Sequence, residues 1–355
     1  MDSMGKIINL KLENFTCFEK LDLEFSNGVN VLIGVNGTGK THILKVLYAA
    51  CAITVGEYKQ GEDEERKGYS KKIRNIFLPY KGKNERLRRR VNEISKDGAI
   101  IIRKDHGQGR QYLPFLLADD YPEIIEIMDN FAWSIDSMES VYIPVKEMLA
   151  HAPGFLSLYN KREIPFEEVY ADIINQAYLP KLRTLPNPCY EKIFKNLTTA
   201  IGGEVIVKGE YFFLKNEHDE FEFSLIAEGV RKLALIWLLV QNGSLNPGNI
   251  LFWDEPEANL NPSLLGVVVE TLLELQRQGV QIFLTTHNYV LLKEFDLRKK
   301  KEDAVRYIAL FREKDSDPVS AHTTDEYLFI NPNAIAGTFT DLYKRDITRA
   351  LQGSK

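Results

Sequence analysis

Eight residues near the start of the chain, 34–41, carry the pattern G-x-x-x-x-G-K-[ST] with every fixed position filled. Glycines let the backbone curl so that successive N–H groups point at phosphate oxygens, and a following helix turns its positive end to the same anion. Lys40 is then placed to reach the β- and γ-phosphates, and the Thr41 hydroxyl to reach Mg²⁺. This chemistry predicts a site for ATP and Mg²⁺. The predicted contacts are Gly34, Asn36, Gly37, Thr38, Gly39, Lys40 and Thr41.

A second apolar run, 249–253, leads into the sequence Asp-Glu-Pro-Glu. Carboxylate oxygens suit Mg²⁺, so Asp254 is predicted to bind the metal ion directly or through a water. Glu255 is then positioned to polarise the attacking water as general base. The next apolar run ends in Thr-Thr-His, and we predict that the imidazole of His287 senses the γ-phosphate. With Lys40, these side chains form the predicted catalytic set.

The elements that must position these residues alternate between strands and helices around the phosphate loop. Period-two or apolar runs predict strands at 6–12, 21–25, 29–33, 141–145, 250–253, 281–285 and 306–311, a hairpin of 99–103 with 111–116, and a small antiparallel set within 204–223. Helical patterns follow the loop to about Cys51, fill most of 154–200, and recur at 230–240, 262–278, 289–295 and near 337–351. This order predicts an α/β fold with a doubly wound, mostly parallel sheet and an N-terminal antiparallel sheet.

Composition restricts the class of protein. The 355 residues are 44% hydrophobic and 27% charged with a net charge of −5, so no global field attracts nucleic acid. No apolar run approaches the ~20 residues of a membrane span, and the N-terminus lacks a signal-peptide core. Three widely spaced cysteines fit a reducing compartment. We therefore expect a cytoplasmic protein with no membrane partner.

Four regions are predicted along the chain: an N-terminal ATPase lobe (1–51), a basic insertion lobe (52–140), a mainly helical subdomain (141–203) and a C-terminal ATPase lobe (204–355). Within the insertion lobe, residues 66–90 contain eleven Lys or Arg against one acid, Glu85. This stretch can neutralise several phosphates, which makes it the best candidate contact for nucleic acid. A solvated lobe or a contact with an acidic partner explains the charge equally well.

Taken together, the complete phosphate loop, the sequence Asp-Glu-Pro-Glu-Ala-Asn-Leu-Asn-Pro at 254–262 and the Thr-Thr-His at 285–287 resemble the ABC-type ATPases. The opening residues 8–18 are similar to the first strand of the RecF/SMC-like and OLD-like branch, whose members are often called AAA family ATPases. The resemblance covers roughly 1–50 and 204–311. It implies the P-loop ABC-type ATPase fold and ATP hydrolysis with Mg²⁺. It also implies a head-to-tail homodimer that holds nucleotide between its two subunits, and it leaves a higher oligomer as an alternative.

The same resemblance implies a signature loop that contacts the γ-phosphate of ATP held by the second subunit. Ala227, Glu228 and Gly229 occupy its place at the start of an apolar helix, with Ala227 where the family has Ser. Backbone amides, Arg231 or Lys232 would then have to carry the contact. Asn259 and Asn261 match the family's loop that touches the opposing subunit. The family's coupling glutamine has no counterpart that we can place, because the strand at 141–145 is followed by Lys-Glu.

The resemblance leaves the purpose of the ATPase to be predicted. Residues 52–140 have no heptad pattern, so we expect no long coiled-coil arm, and 306–355 has no carboxylate cluster, so we expect no C-terminal nuclease domain. The leading prediction is a sensor or scaffold subunit of a bacterial antiphage defence system that controls a separate effector, a nuclease or toxin. One alternative is a RecF-like DNA-repair clamp that binds DNA directly. Another is a non-hydrolysing, ATP-gated interaction module.

Overall fold

The structure, a computed structural model, describes residues 5–55, 62–91, 94–95, 97–106, 109–117, 133, 137–162, 164–184 and 186–352. The described strands are β1 Lys6–Phe15, β2 Phe18–Glu24, β3 Val29–Ile33, β4 Arg90–Val91, β5 Ile94–Ser95, β6 Gly98–His106, β7 Gly109–Leu117, β8 Ser140–Ile143, β9 Glu204–Lys208, β10 Tyr211–Lys215, β11 Glu220–Glu222, β12 Ile250–Asp254, β13 Gln281–Thr286, β14 Val305–Phe311 and β15 Ser320–Thr324. The described helices are α1 Lys40–Ala52, α2 Glu62–Phe77, α3 Phe155–Arg162, α4 Glu168–Ala177, α5 Pro188–Ile201, α6 Glu228–Gln241, α7 Leu265–Arg277, α8 Tyr289–Arg298 and α9 Ala334–Gln352.

The central sheet has six strands in the order β15-β14-β3-β13-β12-β8, all parallel except β15. The predicted mostly parallel sheet is confirmed. Its inner strands are buried on both faces, which explains their continuous apolar sequence. Because parallel strands end at the same edge, the loops after β3, β12 and β13 meet there. That edge carries the phosphate loop, the carboxylates and His287.

The N-terminal sheet is antiparallel in the order β2-β1-β6-β7. The predicted hairpin is confirmed in β6 and β7, although residues 107–108 at its turn lie outside the described residues. The hairpin pairs with β1, so this part of the predicted insertion lobe continues the sheet of the N-terminal lobe. The division of the chain into four regions remains a proposal.

Helix α2 (Glu62–Phe77) was not predicted. Its buried apolar residues, Tyr69, Ile73 and Ile76, lie three or four positions apart and pack beneath α1 and the N-terminal sheet. Such spacing is typical of an amphipathic helix, but the many surrounding charges concealed it. The edge strand β15 was also missed, because its sequence Ser-Ala-His-Thr-Thr is short and polar.

The sheet divides the core into two hydrophobic clusters. One contains the inner residues of α4 to α8 and packs on one face of the central sheet. The other contains α1, α2 and the N-terminal sheet, and packs on the other face. This sandwich fixes the strand ends that form the site. Across the described part of the chain, no helix combines the length and apolarity needed to cross a membrane.

Candidate functional site

The phosphate loop connects the end of β3 to the first residue of α1. Gly37 and Gly39 adopt positive φ angles of 80° and 84°, where a side chain would be strained. A Cβ on Gly34 would lie 2.5 Å from the Leu310 carbonyl oxygen, so only glycine fits against β14. Helix α1 starts without a side-chain cap, which leaves its first amides directed out of the helix towards an anion. The loop therefore has the conformation that a phosphate group requires.

Lys40 is buried and folds back over the loop. Its Nζ donates to the carbonyl oxygens of Gly34, at 2.7 Å, and Val35, at 3.2 Å. Burial lowers the pKa of Lys40, while the nearby Glu255 and Asp254 carboxylates act in the opposite direction. A phosphate group would supply the opposite charge that this buried ammonium requires. Both the position and the electrostatics of Lys40 agree with its predicted role.

Asp254 lies at the end of β12 and is 3% exposed. Its Oδ1 accepts hydrogen bonds from the hydroxyls of Thr285, at 2.6 Å, and Thr41, at 3.1 Å. On the other side, the buried Tyr142 hydroxyl donates to its Oδ2 at 3.4 Å. Burial raises the pKa of Asp254, and the neighbouring Glu255 adds to the shift. The fold therefore holds a desolvated carboxylate against the first turn of α1.

These oxygen atoms fit Mg²⁺. Two oxygens that bind one Mg²⁺ at ~2.1 Å and at right angles lie about 3 Å apart, close to the separation of Thr41 Oγ1 and Asp254 Oδ1. A dication would also stabilise the buried carboxylate. Among the described residues, no three His, Cys, Asp or Glu side chains lie close enough together to bind a metal ion by themselves. The arrangement instead suits an ion that completes its shell with phosphate and water.

Glu255 adopts a positive φ of 49°, a conformation uncommon for a residue with a side chain. Its backbone N–H donates to the Thr285 hydroxyl at 3.0 Å, which fixes the turn after β12. Its carboxylate oxygen Oε1 lies 3.2 Å from Nδ1 of His287, whose side chain is 48% exposed. The structure thus brings the predicted general base and the predicted switch histidine into direct contact. Both face the open edge of the sheet.

Helix α6 begins at Glu228 with Ala227 as its N-cap, and no side chain caps it. Ala227 is exposed, whereas Gly229 is buried. A Cβ on Gly229 would lie 2.7 Å from the Asn259 carbonyl oxygen, so this glycine also allows the loop after the carboxylates to approach α6. The predicted signature residues therefore form an uncapped helix start packed on the catalytic loop.

Arg231 and Lys232 do not present their charges at this helix start. The Arg231 guanidinium forms an ion pair with the buried Glu147 and donates to the carbonyl oxygens of Phe223 and Ile226. Lys232 is buried, and its Nζ donates to the Ala258 carbonyl oxygen at 2.6 Å. Both side chains hold neighbouring loops in place. Of the three predicted sources of a phosphate contact, only the backbone amides are compatible with the structure.

The loop after the carboxylates contains Asn259 and Asn261, which are both exposed. Asn259 has a positive φ of 58°. The side-chain oxygen of Asn261 accepts from the backbone N–H and the hydroxyl of Ser263, both at 3.0 Å, and so caps the turn that leads into α7. Asn261 therefore has a local structural role within its own chain. A contact with a second subunit remains a proposal.

Sequence reasoning assigned no role to Tyr142 and Glu257. Tyr142 lies in the apolar run of β8, where an aromatic residue is typical of the core, and only the pairing of β8 with β12 brings its hydroxyl to Asp254. Glu257 follows Glu255 by two residues and is buried beside His287. The unusual density of carboxylates at 254–257 was a usable signal for Glu257. The sequence contains no comparable signal for Tyr142.

The basic stretch 66–90 is divided by the structure. Lys72 is buried between Asp172, at 2.7 Å, and Glu168, at 3.1 Å. Arg88 is buried and reaches Asp97, and Arg89 donates to the Cys17 carbonyl oxygen. These cations hold the fold together and are poor candidates for nucleic acid. The exposed cations of the stretch are Lys67, Lys71, Arg74, Lys81, Lys83, Arg86 and Arg90.

Comparison with known proteins identifies the family of this chain. Residues 29–293 match the family described as "AAA domain, putative AbiEii toxin, Type IV TA system". The DNA double-strand break repair Rad50 ATPase of Thermoplasma volcanium is 29% identical over 188 residues, covering 43% of this chain and 21% of that protein. The DNA replication and repair protein RecF of Clostridium novyi is 34% identical over 98 residues, covering 27% of this chain and 26% of that protein. The matched segments thus span about a quarter or less of these relatives.

Among solved structures, the Smc head bound to the C-winged helix domain of ScpA superposes with a TM-score of 0.52. The two chains are 14% identical, and the superposition covers 91% of this chain and 99% of that one. At this identity the likeness establishes the fold alone. The predicted P-loop ABC-type ATPase fold is confirmed.

Proposed function

The chain belongs to the AAA domain family that its residues 29–293 match, as an ABC-type ATPase of the RecF/SMC-like branch, and we propose that it binds and hydrolyses ATP between two copies of itself. The phosphate loop binds the triphosphate, with Lys40 on the β- and γ-phosphates. Thr41 and Asp254 would hold Mg²⁺, which would supply positive charge opposite the phosphate oxygens. Glu255 accepts a proton from the attacking water, and His287 contacts the γ-phosphate.

One observation carries this proposal. The ends of β3, β12 and β13 bring the phosphate loop, the Asp254 and Glu255 carboxylates and His287 to one edge of the sheet. Thr41 Oγ1 lies 3.1 Å from Asp254 Oδ1, and His287 Nδ1 lies 3.2 Å from Glu255 Oε1. Side chains from residue 41 and from residues 254, 255 and 287 thus meet at one edge of the sheet. Release of phosphate from Mg-ATP, measured for the wild type and for Glu255→Gln side by side, tests the assignment.

The dimer is supported by the surface around the two motifs. The helix start at Ala227 is exposed and uncapped, so its amides can receive a phosphate from outside the chain. Leu225 beside it is 71% exposed, and Val35 at the tip of the phosphate loop is 55% exposed. Head-to-tail pairing would bury both and complete each site with the partner's α6.

The finer proposal is that this ATPase is a sensor or scaffold subunit of a bacterial antiphage defence system, with a separate nuclease or toxin as effector. One observation supports it: the family description names a putative toxin and a toxin–antitoxin system. Co-expression with the products of neighbouring genes tests the proposal: an effector that binds the chain in one nucleotide state and not in the other would support it.

The alternative of a RecF-like clamp that binds DNA directly is supported by the Rad50 and RecF relatives named above, which are both described as DNA repair proteins. If it holds, DNA affinity depends on the exposed cations of the 66–90 stretch. We expect that replacing Lys71, Arg74, Lys81 and Arg86 by Gln weakens ATP-dependent DNA binding and reduces the salt slope by about 0.9 for each phosphate that is no longer neutralised. A titration against salt concentration measures both.

The matched control replaces four exposed cations outside the 66–90 stretch, Lys181, Arg183, Lys192 and Lys195, by Gln. Equal decreases in DNA affinity for both variants would indicate a non-specific charge effect. Absence of DNA binding by the wild type at low salt would exclude the clamp. Arg88 and Arg89 are unsuitable for this test, since their contacts are structural. A third alternative, a non-hydrolysing module, predicts tight ATP binding with no release of phosphate.

A further inference from the structure

Glu257 is a third carboxylate at the nucleotide edge, with its side chain 4% exposed. Its Oε1 accepts from the Thr286 hydroxyl at 2.7 Å and from the backbone N–H of His287 at 3.1 Å. Its other oxygen, Oε2, is buried and has no hydrogen-bond partner. A buried carboxylate oxygen without a donor is costly, so the fold retains Glu257 here at the expense of stability.

The imidazole of His287 lies beside Glu257 and is a polar group that can change its partner. Its Nδ1 lies 3.2 Å from Oε1 of Glu255 and 3.8 Å from Oε1 of Glu257. A carboxylate only accepts hydrogen bonds, so Nδ1 is the donor in either contact. Because His287 is half-exposed, its ring has room to turn. In the present arrangement the Nδ1–H of His287 donates to Oε1 of Glu255. This hydrogen bond occupies the carboxylate oxygen to which the attacking water would donate.

We propose that Glu257 is a positioning residue that competes with Glu255 for the Nδ1–H of His287 and thereby releases Glu255 to act as the base. This rests on the proposed function, in which Glu255 accepts the proton of water. With the imidazole on Glu255, the site is held inactive. With the imidazole turned to Glu257, the Glu255 carboxylate is free, and Nε2 of His287 changes its direction towards the phosphate.

The surroundings of Glu257 connect this exchange to the signature helix. The next residue, Ala258, accepts a hydrogen bond from Lys232 of α6, and Asn259 packs on Gly229 of the same helix. A phosphate at the start of α6 would therefore act through the same loop that holds Glu257. Dimer closure around the nucleotide and release of Glu255 from His287 are therefore coupled through this loop.

Steady-state ATP hydrolysis by the wild type, Glu257→Gln, His287→Ala and the double variant tests the proposal. Gln keeps an acceptor for Thr286 and the backbone but loses the charge that attracts the imidazole. We expect Glu257→Gln to lower kcat about tenfold, as removal of an orienting partner does, with little change in KM. In the His287→Ala background the same substitution should have almost no effect, because its partner is gone.

Several outcomes would overturn the inference. A Glu257→Gln variant with wild-type kcat, or one whose decrease in kcat is equally large in the absence of His287, excludes an action through the histidine. If Glu257→Gln lowered the melting temperature and changed kcat equally in the wild-type and His287→Ala backgrounds, the role of Glu257 would be structural only. If the wild type itself released no phosphate while the Glu255→Gln protein behaved identically, the proposed function would fail first. These four proteins, together with Glu255→Gln, therefore separate the two failures.

Discussion

ATP hydrolysis by the Glu255→Gln variant is expected to fall about a hundredfold or more, while ATP binding persists. Glu255 extends from the strained turn after β12 and carries the carboxylate nearest to His287. Gln keeps the size and the hydrogen-bonding oxygen, but it cannot accept the proton of a water. Removal of the negative charge also reduces repulsion of the γ-phosphate. The variant should therefore hold ATP longer than the wild type does.

Phosphate release in single-turnover experiments and molecular mass by light scattering measure the two parts of this prediction. With Mg-ATP, Glu255→Gln should accumulate as a stable dimer, whereas the wild type should return to the monomer as ATP is consumed. Glu294→Gln is the control, since it removes a carboxylate of similar exposure, 25% against 23%, that pairs with Arg298 on α8 and belongs to none of the nucleotide-site motifs. Wild-type turnover by Glu255→Gln would show that another group is the base.

The Lys40→Ala variant is expected to bind ATP about a hundredfold more weakly and to show no measurable turnover, because a charge-assisted contact to two phosphates is removed. Lys40 lies inside the loop, with its Nζ on the Gly34 and Val35 carbonyl oxygens. The ammonium also opposes the negative charges of Glu255 and Asp254, with which it interacts electrostatically. Without it, the remaining negative potential opposes a triphosphate.

Calorimetric titration with ATP measures this change in affinity. Lys72→Ala is the matched control, because Lys72 is also a buried lysine but pairs with Asp172 at 2.7 Å and with Glu168 at 3.1 Å. It should lower the melting temperature and leave ATP binding in place. If Lys40→Ala bound ATP as tightly as the wild type, the loop would hold nucleotide by its backbone alone, and the role assigned to the lysine would be wrong.

The features that could be predicted from sequence are those in which local chemistry and a continuous pattern coincide. The strand, the loop and the helix that contain Lys40 form one uninterrupted segment, so their order and chemistry are visible together. The same is true of β12 with Asp254 and Glu255. Alternation of such units then implies the parallel sheet, because each strand end must reach the same edge. No long-range contact had to be known.

The features that could not be predicted depend on contacts between distant residues. Arg231 looked available for a phosphate until the fold placed it on Glu147, 84 residues earlier in the chain. Arg88 and Lys72 belonged to a basic run, yet both side chains are buried, and each pairs with a carboxylate from elsewhere in the chain. The sequence does not show whether a charged side chain is solvated at the surface or buried in an ion pair with a distant residue. Only the tertiary structure separates the two cases.

Complementation between two inactive variants tests the central claim, a site shared between two copies. Lys40→Ala removes the phosphate loop function, and Ala227→Asp places a carboxylate where α6 should meet phosphate, while it caps and so stabilises that helix. Each variant alone should be inactive. Half of the dimers in an equal mixture are mixed and contain one complete site, so the mixture should regain about a quarter of wild-type turnover. A mixture as inactive as its components, or an Ala227→Asp protein with full activity, would contradict the shared site.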